Sequence, residues 1–304
     1  MQLSLIQGFE LMKCRDKTFC QRRDQMLHIV TDGAVDLPDG WRESYDIQVV
    51  PINIQFGNQT FIQYEDITIE DFYRKVDETR TIPKTSQPSP HQFSEFYQKI
   101  AKVGDTILSL HVTSKLSGTF ASAVMAAEEL KDRYKIIPID SAGGSMGMGF
   151  MCRAARQMEK AGKSVEEIVR YLEGIREKIQ IILTLDKLDY ARMSGRVGTL
   201  TAALSSVLKV KPIAILKDGI LAMTDKVRTR RASLERVIEI GRQVFGNQPV
   251  HLAVVHARDL VSGQNLLEKA RKVFNVRSFE LTDLSVALAV NLGPGTVGLV
   301  LYPA

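Results

Sequence analysis

Short apolar runs alternate with segments of helical periodicity between residues 27 and 162. Each run ends in polar or small turn residues, and several of the segments that follow open with a residue that can cap a helix, such as Thr68 or Ser89. This alternation is typical of a parallel sheet whose strands are joined by crossover helices. The pattern predicts strands at 27–31, 45–54, 106–112 and 135–140, and helices that begin near 69, 90 and 120.

The remainder of the chain has a mixed pattern. The alternation stops at Gly162 and Ser164 can cap the next helix, so we place a domain boundary between residues 162 and 163. Asp218-Gly219 lies between two short apolar runs and indicates a hairpin. The sequence therefore predicts an α/β fold with two domains, 26–162 and 163–304. In the second domain, strands are predicted at 180–185, 212–216, 220–223, 251–256 and 297–301, and helices at 164–178, 230–245 and 263–274.

Composition places the chain among ordinary globular proteins. Its 304 residues suffice for one large or two ordinary domains, with 44% hydrophobic and 25% charged residues. No window is apolar enough to span a bilayer, so we expect no stable membrane insertion. The net charge of +5 comes without a block of consecutive basic residues, which argues against nucleic acid as a partner. Cys14, Cys20 and Cys152 lack the spacing of a disulfide framework or zinc site, and this favours a reducing, cytoplasmic location.

Residues 1–25 precede the first strand pattern and carry no recognisable chemistry. The apolar run 3–6 is too short for a signal peptide and is followed by several basic residues. We therefore expect a leader that is poorly ordered.

Hydroxyl-bearing residues gather in loops beside the predicted strands. The loop 113–119 follows one strand and precedes a helix, and Thr85 lies in a similar polar segment before another helix. Ligands of open parallel sheets bind beyond the carboxyl ends of strands, and the free N–H groups of a helix start suit a carboxylate or a phosphate. Ser117 and Thr119 are candidates to hold such a group, while capping of the helix is the alternative interpretation.

Three further segments each permit two interpretations. Arg196, in a loop flanked by glycines, either reaches an anionic group or lies on the surface. Gly293-Pro294-Gly295 is either a tight turn or a close approach to a ligand, and Asn291 is a polar residue in the apolar run before it. Residues 146–151, rich in Met, either line a tunnel for an acyl chain or form plain core.

No short catalytic motif occurs in the sequence. It has no Gly-x-x-x-x-Gly-Lys-Ser/Thr phosphate loop, no Gly-x-Ser-x-Gly elbow and no His-Glu-x-x-His helix. The five His residues are scattered, and His111 and His256 sit in or at the end of strands, where a structural role is the commoner one. These absences discount several classes of enzyme, while a paired-carboxylate acid/base site stays open, although no short motif indicates one.

Ordered blocks of the sequence resemble the DegV family of bacterial fatty-acid-binding proteins, from Leu27 to Pro303. The most specific block is Thr113-Ser114-Lys115-Leu116-Ser117-Gly118-Thr119-Phe120-Ala121-Ser122-Ala123, and the loop 186–198 is similar to the Leu-x-x-Leu-x-x-Gly-Gly-Arg-Ile segment of the family. Any one block alone is weak evidence for the resemblance, but the series of blocks in the same order is specific to the family. The other blocks are 29–38, 83–89, 140–149, 211–230 and 293–295.

The resemblance implies a Rossmann-like parallel sheet in the N-terminal domain and an α/β mixed sheet in the C-terminal domain. It implies one long-chain fatty acid between the domains, whose carboxylate is presented to a separate fatty-acid kinase, the catalytic protein that makes an acyl phosphate. On this resemblance the chain itself is expected not to be an enzyme and to have no metal or cofactor. Thr85 and Ser117 would bond the carboxylate, with Ser114 as an alternative and with Gly118 and Thr119 in the same loop. The residues implied for the head group or the kinase surface are Arg196 and one of Arg228 or Arg230, with Asn291 as a further fatty-acid contact.

The sequence departs from the family at the head group. Asn291 stands where the family usually has His, two residues before Gly-Pro-Gly, and Ser194 replaces a Gly before Arg196. Asn can form hydrogen bonds but carries no charge. Two alternative functions stay open: a phosphotransferase like dihydroxyacetone kinase, which needs a His that bonds to its substrate, and a carrier of another lipid.

Overall fold

The computed structural model describes residues 26–195 and 210–304, so the predicted leader and Arg196 lie outside the described residues. A parallel sheet of four strands, with helices on its connections, organises the first part of the chain. In chain order its elements are β1 (Leu27–Asp32), α1 (Trp41–Ser44), β2 (Ile47–Val50), β3 (Asn53–Phe56), β4 (Gln59–Ile62), α2 (Ile69–Thr79), β5 (Lys84–Ser86), α3 (Pro90–Ile100), β6 (Thr106–His111), α4 (Thr119–Glu129), β7 (Lys135–Asp140), α5 (Ser145–Lys160) and α6 (Val165–Arg176). The order of the parallel sheet is β2-β1-β6-β7.

Three helices begin at capping boxes. In α2, α3 and α6 the hydroxyl of the capping residue accepts a hydrogen bond from the backbone N–H three residues later, and the side chain at that position accepts one in return. These bonds satisfy N–H groups that a helix start otherwise leaves free. The structure confirms the helix starts predicted at Thr68, Ser89 and Ser164.

The run 45–54 was predicted as one strand, and this prediction was wrong, because β2 and β3 belong to different sheets. Pro51 separates them and has no N–H for a ladder. The next residue, Ile52, receives a hydrogen bond at its carbonyl from the Gln63 backbone N–H, at 3.0 Å. The chain thereby leaves the parallel sheet and forms a three-stranded antiparallel sheet, β4-β3-β5, in which Thr85 pairs with Ile54.

A mixed sheet of six strands organises the second part. Its order is β10-β9-β8-β13-β11-β12; β11 and β12 are parallel, and the other neighbours are antiparallel. The predicted Asp218-Gly219 hairpin joins Lys211–Lys217 to Ile220–Val227. The strand Asn275–Asp283 and the helix Val286–Leu292 were not predicted, and neither was the helix Asp189–Ser194, which lies in a segment expected to be a loop. The elements are β8 (Gln180–Thr184), α7 (Asp189–Ser194), β9 (Lys211–Lys217), β10 (Ile220–Val227), α8 (Arg230–Phe245), β11 (Pro249–His256), α9 (Leu260–Val273), β12 (Asn275–Asp283), α10 (Val286–Leu292) and β13 (Val297–Pro303).

Helix α5 lies between the two large sheets. Every residue from Ser145 to Arg156 is buried, and the helix contacts both β1 and β13. The ring of Phe150 lies 5.7 Å from Tyr302 on β13 and 6.3 Å from Trp41 in the first part of the chain. Met146 and Met148 are fully buried in the same hydrophobic core, so their role in the fold is core packing between the sheets.

The predicted fold class, α/β with a parallel N-terminal sheet and a mixed C-terminal sheet, is confirmed. The strands of the parallel sheet all precede residue 141 and those of the six-stranded sheet all follow residue 179. The boundary at 162–163 stays a prediction. Across residues 26–195 and 210–304, no helix is both long enough and apolar enough to cross a membrane.

Candidate functional site

A cavity lies where the parallel sheet, the small antiparallel sheet and the six-stranded sheet meet. It offers about 120 Å³ to the centres of water-sized groups, and one such group needs roughly 10–15 Å³ of this space. The space therefore holds several such groups rather than a single water. Its lining is mostly apolar and comes from both halves of the chain, including Ile52, Val112, Leu183, Leu216, Leu288 and Leu292.

Polar side chains of the cavity gather around the start of α4. The Ser117 hydroxyl lies 2.8 Å from the Thr119 hydroxyl and accepts a hydrogen bond from the Thr119 backbone N–H at 3.3 Å. Gly118, the residue before α4, provides no capping side chain. Ser117 thus supports the start of α4 and also lines the cavity, so its role at the helix start does not exclude contact with a ligand.

Strand β5 brings Thr85 to the same cavity. The loop after it packs directly on the start of α4: a Cβ atom on Gly118 would lie only 2.4 Å from the side-chain amide of Gln87. Gly118 thus lets the two segments pack closely, and a larger residue there would displace the Gln87 side chain, although Gly118 itself does not line the cavity. The hydroxyls of Thr85, Ser117 and Thr119 all border the cavity, and hydroxyls can donate to a carboxylate.

Asn291 lines the cavity from α10. Its amide Nδ2 donates to the Ala287 carbonyl at 2.7 Å, while its Oδ1 is buried and has no hydrogen-bond partner among the described residues. A buried acceptor without a partner is costly, which makes this oxygen suited to a ligand O–H group or to a water. Asn291 therefore adds a hydrogen-bond acceptor to the polar side chains of the cavity.

A buried carboxyl group, that of Asp32, forms part of the cavity wall. It accepts hydrogen bonds from the backbone N–H groups of Ala34 and Val112, each at 2.9 Å, and its Oδ2 lies 3.0 Å from His111 Nδ1. On its other side His111 contacts Ser109 at 2.7 Å. These bonds hold the carboxyl ends of β1 and β6 together. The placement of His111 fits the structural role predicted for it.

The described lining of the cavity contains no Lys, Arg or His. An acid head group in this part of the site would therefore depend on neutral donors, namely hydroxyls and backbone N–H groups. Neutral donors orient a carboxylate without the attraction of a full opposite charge.

Asp36 joins the first part of the chain to α10 beside the cavity. It accepts hydrogen bonds from the Ser145 hydroxyl and from the Ser285 backbone N–H, the latter at 2.6 Å. Ser285 directly precedes α10, the helix that carries Asn291. Burial raises the pKa of Asp36 to about 7, although both hydrogen bonds favour the charged form. The hydrogen bonds of Asp36 join the first part of the chain to the start of α10, and the raised pKa predicts that this junction responds to pH.

Other residues singled out from the sequence lie elsewhere. Ser114 is exposed and donates its backbone N–H to Asp140 at 3.2 Å. Arg228 is exposed, and the Arg230 guanidinium bonds Asp259 at 2.5 Å and the Gly295 carbonyl at 2.6 Å. None of Ser114, Arg228 and Arg230 lines the cavity.

The Gly293-Pro294-Gly295 segment is a tight turn packed against protein. Gly293 and Gly295 have φ values of +79° and +81°, in the region that favours glycine. A Cβ on Gly293 would lie 2.7 Å from the Tyr190 ring, and one on Gly295 would lie 2.6 Å from Asp186. Neither glycine lines the cavity.

Sequence reasoning missed much of the apolar lining. Leu284, Ala287, Leu288 and Leu292 come from α10 and the residues just before it. The apolar character of 284–292 was the available signal, yet a short apolar run does not distinguish strand from helix.

The fold and the site define a class: two-part α/β proteins with an apolar cavity, polar at one place, between their sheets. Within that class the family is established by sequence. The chain belongs to the DegV family, because the sequence model of the family described as "Uncharacterised protein, DegV family" matches residues 26–304. A DegV domain-containing protein of Listeria monocytogenes, lmo2514, is 30% identical over 278 residues, covering 91% of this chain and 98% of the relative.

Solved structures of the family superpose closely. A protein from Thermus thermophilus, described by the words "Fatty Acid Binding of a DegV family Protein", is 28% identical, with a TM-score of 0.83 and coverage of 91% of this chain and 99% of its own. A stearic acid-binding protein from Eubacterium ventriosum is 26% identical, with a TM-score of 0.84 and coverage of 91% and 98%. Family proteins are thus described as binding lipids.

Proposed function

We propose that this chain binds one long-chain fatty acid in the cavity between its sheets, with the acyl tail among the apolar side chains and the carboxyl group at the hydroxyls. The observation that carries the proposal is the asymmetry of the cavity. Its walls are mainly Leu, Ile, Val and Ala, whereas the hydroxyls of Thr85, Ser117 and Thr119 gather where β5 and the start of α4 meet. An amphiphile with one acidic end matches this division.

The energetics favour tail burial as the source of affinity. Each methylene group removed from water contributes about 0.8 kcal/mol, whereas a hydrogen bond to a charged group contributes about 1.5–3 kcal/mol. Several buried methylenes therefore exceed the contribution of one bond to the head group. The hydroxyls of Ser117 and Thr85 would then fix the orientation of the ligand, and the tail would set the strength of binding.

The similar structures support the ligand class. The Eubacterium ventriosum protein is described as binding stearic acid, and the Thermus thermophilus protein as binding fatty acid. Both cover more than nine-tenths of this chain. Their similarity to this chain supports a fatty acid as its ligand, and the side chains that line the cavity suggest where the acid group would lie.

The first test is native mass spectrometry of the gently purified protein, which should carry an added mass in the range of a long-chain fatty acid. Affinity is then measured by displacement of a fluorescent fatty acid. We expect Ser117→Ala to weaken binding by about 1–3 kcal/mol, the loss of a charged hydrogen bond. Ser114→Ala is the matched control, because this neighbouring hydroxyl is exposed and lies outside the cavity.

A protein that carries no lipid and binds none of the probe would contradict the proposal. Equal affinities for wild type and Ser117→Ala, with weaker binding by Ser114→Ala, would move the head group to the outer face of the loop. Turnover of a nucleotide in the presence of a small ketone would instead favour the phosphotransferase.

We also propose that the chain is not itself catalytic and presents the carboxyl group to a fatty-acid kinase, as the family resemblance implies. This proposal is supported by the position of the polar residues around the start of α4, which lie near the surface: Gln87 is exposed, and Ser117 and Gly118 are half-buried. Arg228 is exposed and available to a partner surface. Purified protein loaded with fatty acid should form acyl phosphate only when the kinase and ATP are both added. Acyl phosphate formed without the kinase would contradict a non-catalytic role.

A further inference from the structure

A second, larger cavity adjoins the one described above. It offers about 740 Å³ and lies between the start of α5, the end of α6 and the β9–β10 hairpin. Its rim carries exposed charged residues, Lys115, Glu177, Lys217 and Asp218, whereas Ile179 and Met151 give it an apolar floor. The second cavity thus has solvent-exposed charged side chains at its rim and apolar side chains at its floor.

Three residues border both cavities: Gly143, Ile181 and Leu216. Ile181 on β8 and Leu216 on β9 are direct cross-strand partners in an antiparallel pair, so their side chains stand together on one face of the sheet. Opposite them, a Cβ on Gly143 would lie 3.9 Å from Ile181 Cδ1, in ordinary contact. The two cavities are therefore separated by a wall one side-chain layer thick.

Ile181 and Leu216 give this wall apolar side chains. None of Thr85, Ser117, Thr119 and Asn291 borders the second cavity. A fatty acid whose head group lies at the hydroxyls therefore meets the wall with its tail. Ile181 is only 4% exposed and is also held by α5, where a Cβ on Gly147 would lie 3.1 Å from its Cδ1.

We propose that the Ile181–Leu216 pair is the determinant of acyl chain length: it ends the tail channel and keeps the tail out of the second cavity. This inference rests on the proposed binding of a fatty acid in the first cavity. A tail that fills the first cavity gains nothing from further methylenes, because they would have to displace Ile181 from a packed position. Removal of the wall would let the tail continue over the apolar floor of the second cavity.

The expected effect follows from the size of the side chain. Each additional buried methylene raises affinity about fourfold, which is 0.8 kcal/mol converted to a binding ratio. In wild type this gain should stop at one chain length. Ile181→Ala removes Cγ1, Cγ2 and Cδ1, so the gain should continue for about two to three more methylenes, and the longest acids should bind roughly tenfold or more tightly than in wild type.

The experiment measures the affinity of wild type and Ile181→Ala for a homologous series of saturated fatty acids by displacement of a fluorescent fatty acid. Ile182→Ala is the matched control, because Ile182 is the next residue on β8, is fully buried, and packs in the other hydrophobic core. It lines neither cavity. Leu216→Ala, at a half-buried position, provides a second opening of the wall in case Ile181→Ala does not fold.

A shift of the optimum to longer acids in Ile181→Ala or Leu216→Ala, with an unchanged optimum in Ile182→Ala, supports the proposal. An unchanged optimum in both wall variants, or a shift that Ile182→Ala shares, overturns it while leaving fatty-acid binding intact. A wild-type protein that binds no acid of the series instead overturns the proposed function itself.

Discussion

Replacement of Asp36 by Asn tests whether the junction between the first part of the chain and α10 contains a carboxyl that titrates near neutral pH. Asp36 is buried, and its oxygens accept hydrogen bonds from the Ser145 hydroxyl and the Ser285 backbone N–H. Burial raises its pKa to about 7, and the nearby Asp283 also raises the pKa. Asn offers an oxygen to the Ser285 N–H and an NH₂ group to the Ser145 hydroxyl, so the junction should keep its shape.

The sign of the effect follows from proton linkage. An Asp in the unfolded chain has a pKa of about 4, so between roughly pH 4 and 7 the folded protein holds a proton that the unfolded chain has released. The stabilisation is complete below about pH 4 and is lost as the pH rises through 7. One proton over about two pH units corresponds to about 2–3 kcal/mol. Between about pH 5 and 8, wild type should lose this amount of unfolding free energy relative to Asp36→Asn.

The assay is urea unfolding followed by circular dichroism at several pH values in that range. Asp39→Asn serves as the control, because Asp39 is an exposed carboxylate close by in the chain and accounts for the removal of one negative charge. The quantity compared is the difference in unfolding free energy between each variant and wild type. A difference for Asp36→Asn that does not change with pH would refute the reasoning, since a carboxyl that titrates equally in both states contributes no slope.

Three further substitutions test the packing of the chain. Gly293→Ala should lower the unfolding free energy by about 1–3 kcal/mol in urea denaturation, because φ is +79° and the new Cβ would meet the Tyr190 ring; an unchanged value would contradict the turn geometry. Gly174→Ala should raise it by roughly 0.5–1 kcal/mol, since Gly174 lies within α6 with nothing within 4 Å of the added methyl group; a loss of stability would show that the helix cannot accept it. Arg230→Ala should destabilise the fold by about 1–3 kcal/mol through lost bonds to Asp259 and Gly295, with fatty-acid affinity unchanged in the displacement assay; a selective loss of affinity would return Arg230 to the head group.

Features that depend on neighbours in sequence could be predicted. The capping residues Thr68, Ser89 and Ser164 each act on an N–H three residues away, and the Asp218-Gly219 turn closes a hairpin of adjacent strands. Both kinds of contact lie within the window that a sequence pattern samples. The same holds for Ser117, whose position after a buried strand and before a helix indicated a binding loop, and which does line the cavity.

Features that depend on distant partners could not be predicted. The run 45–54 looked continuous, yet Pro51 ends its pairing with β1 and the chain turns to a separate sheet. Strand β12 lies at the edge of the six-stranded sheet, with side chains alternately exposed and half-buried along its first part, so its apolar signal is weak. Helix α10 is a short apolar run, and such a run does not by itself distinguish a buried strand from a helix.

The candidate site also combines features that neighbours in sequence determine with features that distant partners determine, and this affects the design of variants. Ser117, one of the donors proposed for the acid group, lies in the loop after β6, a position that the order of elements alone indicates, so a head-group variant such as Ser117→Ala can be chosen from sequence. Thr85, the other proposed donor, lies within strand β5. The channel end depends on the pairing of Ile181 with Leu216, strands whose register no local pattern encodes. Ile181 and Ile182 are identical side chains in adjacent positions, yet one borders both cavities and the other neither. A change in chain-length preference can therefore be designed only once the register of β8 and β9 is known.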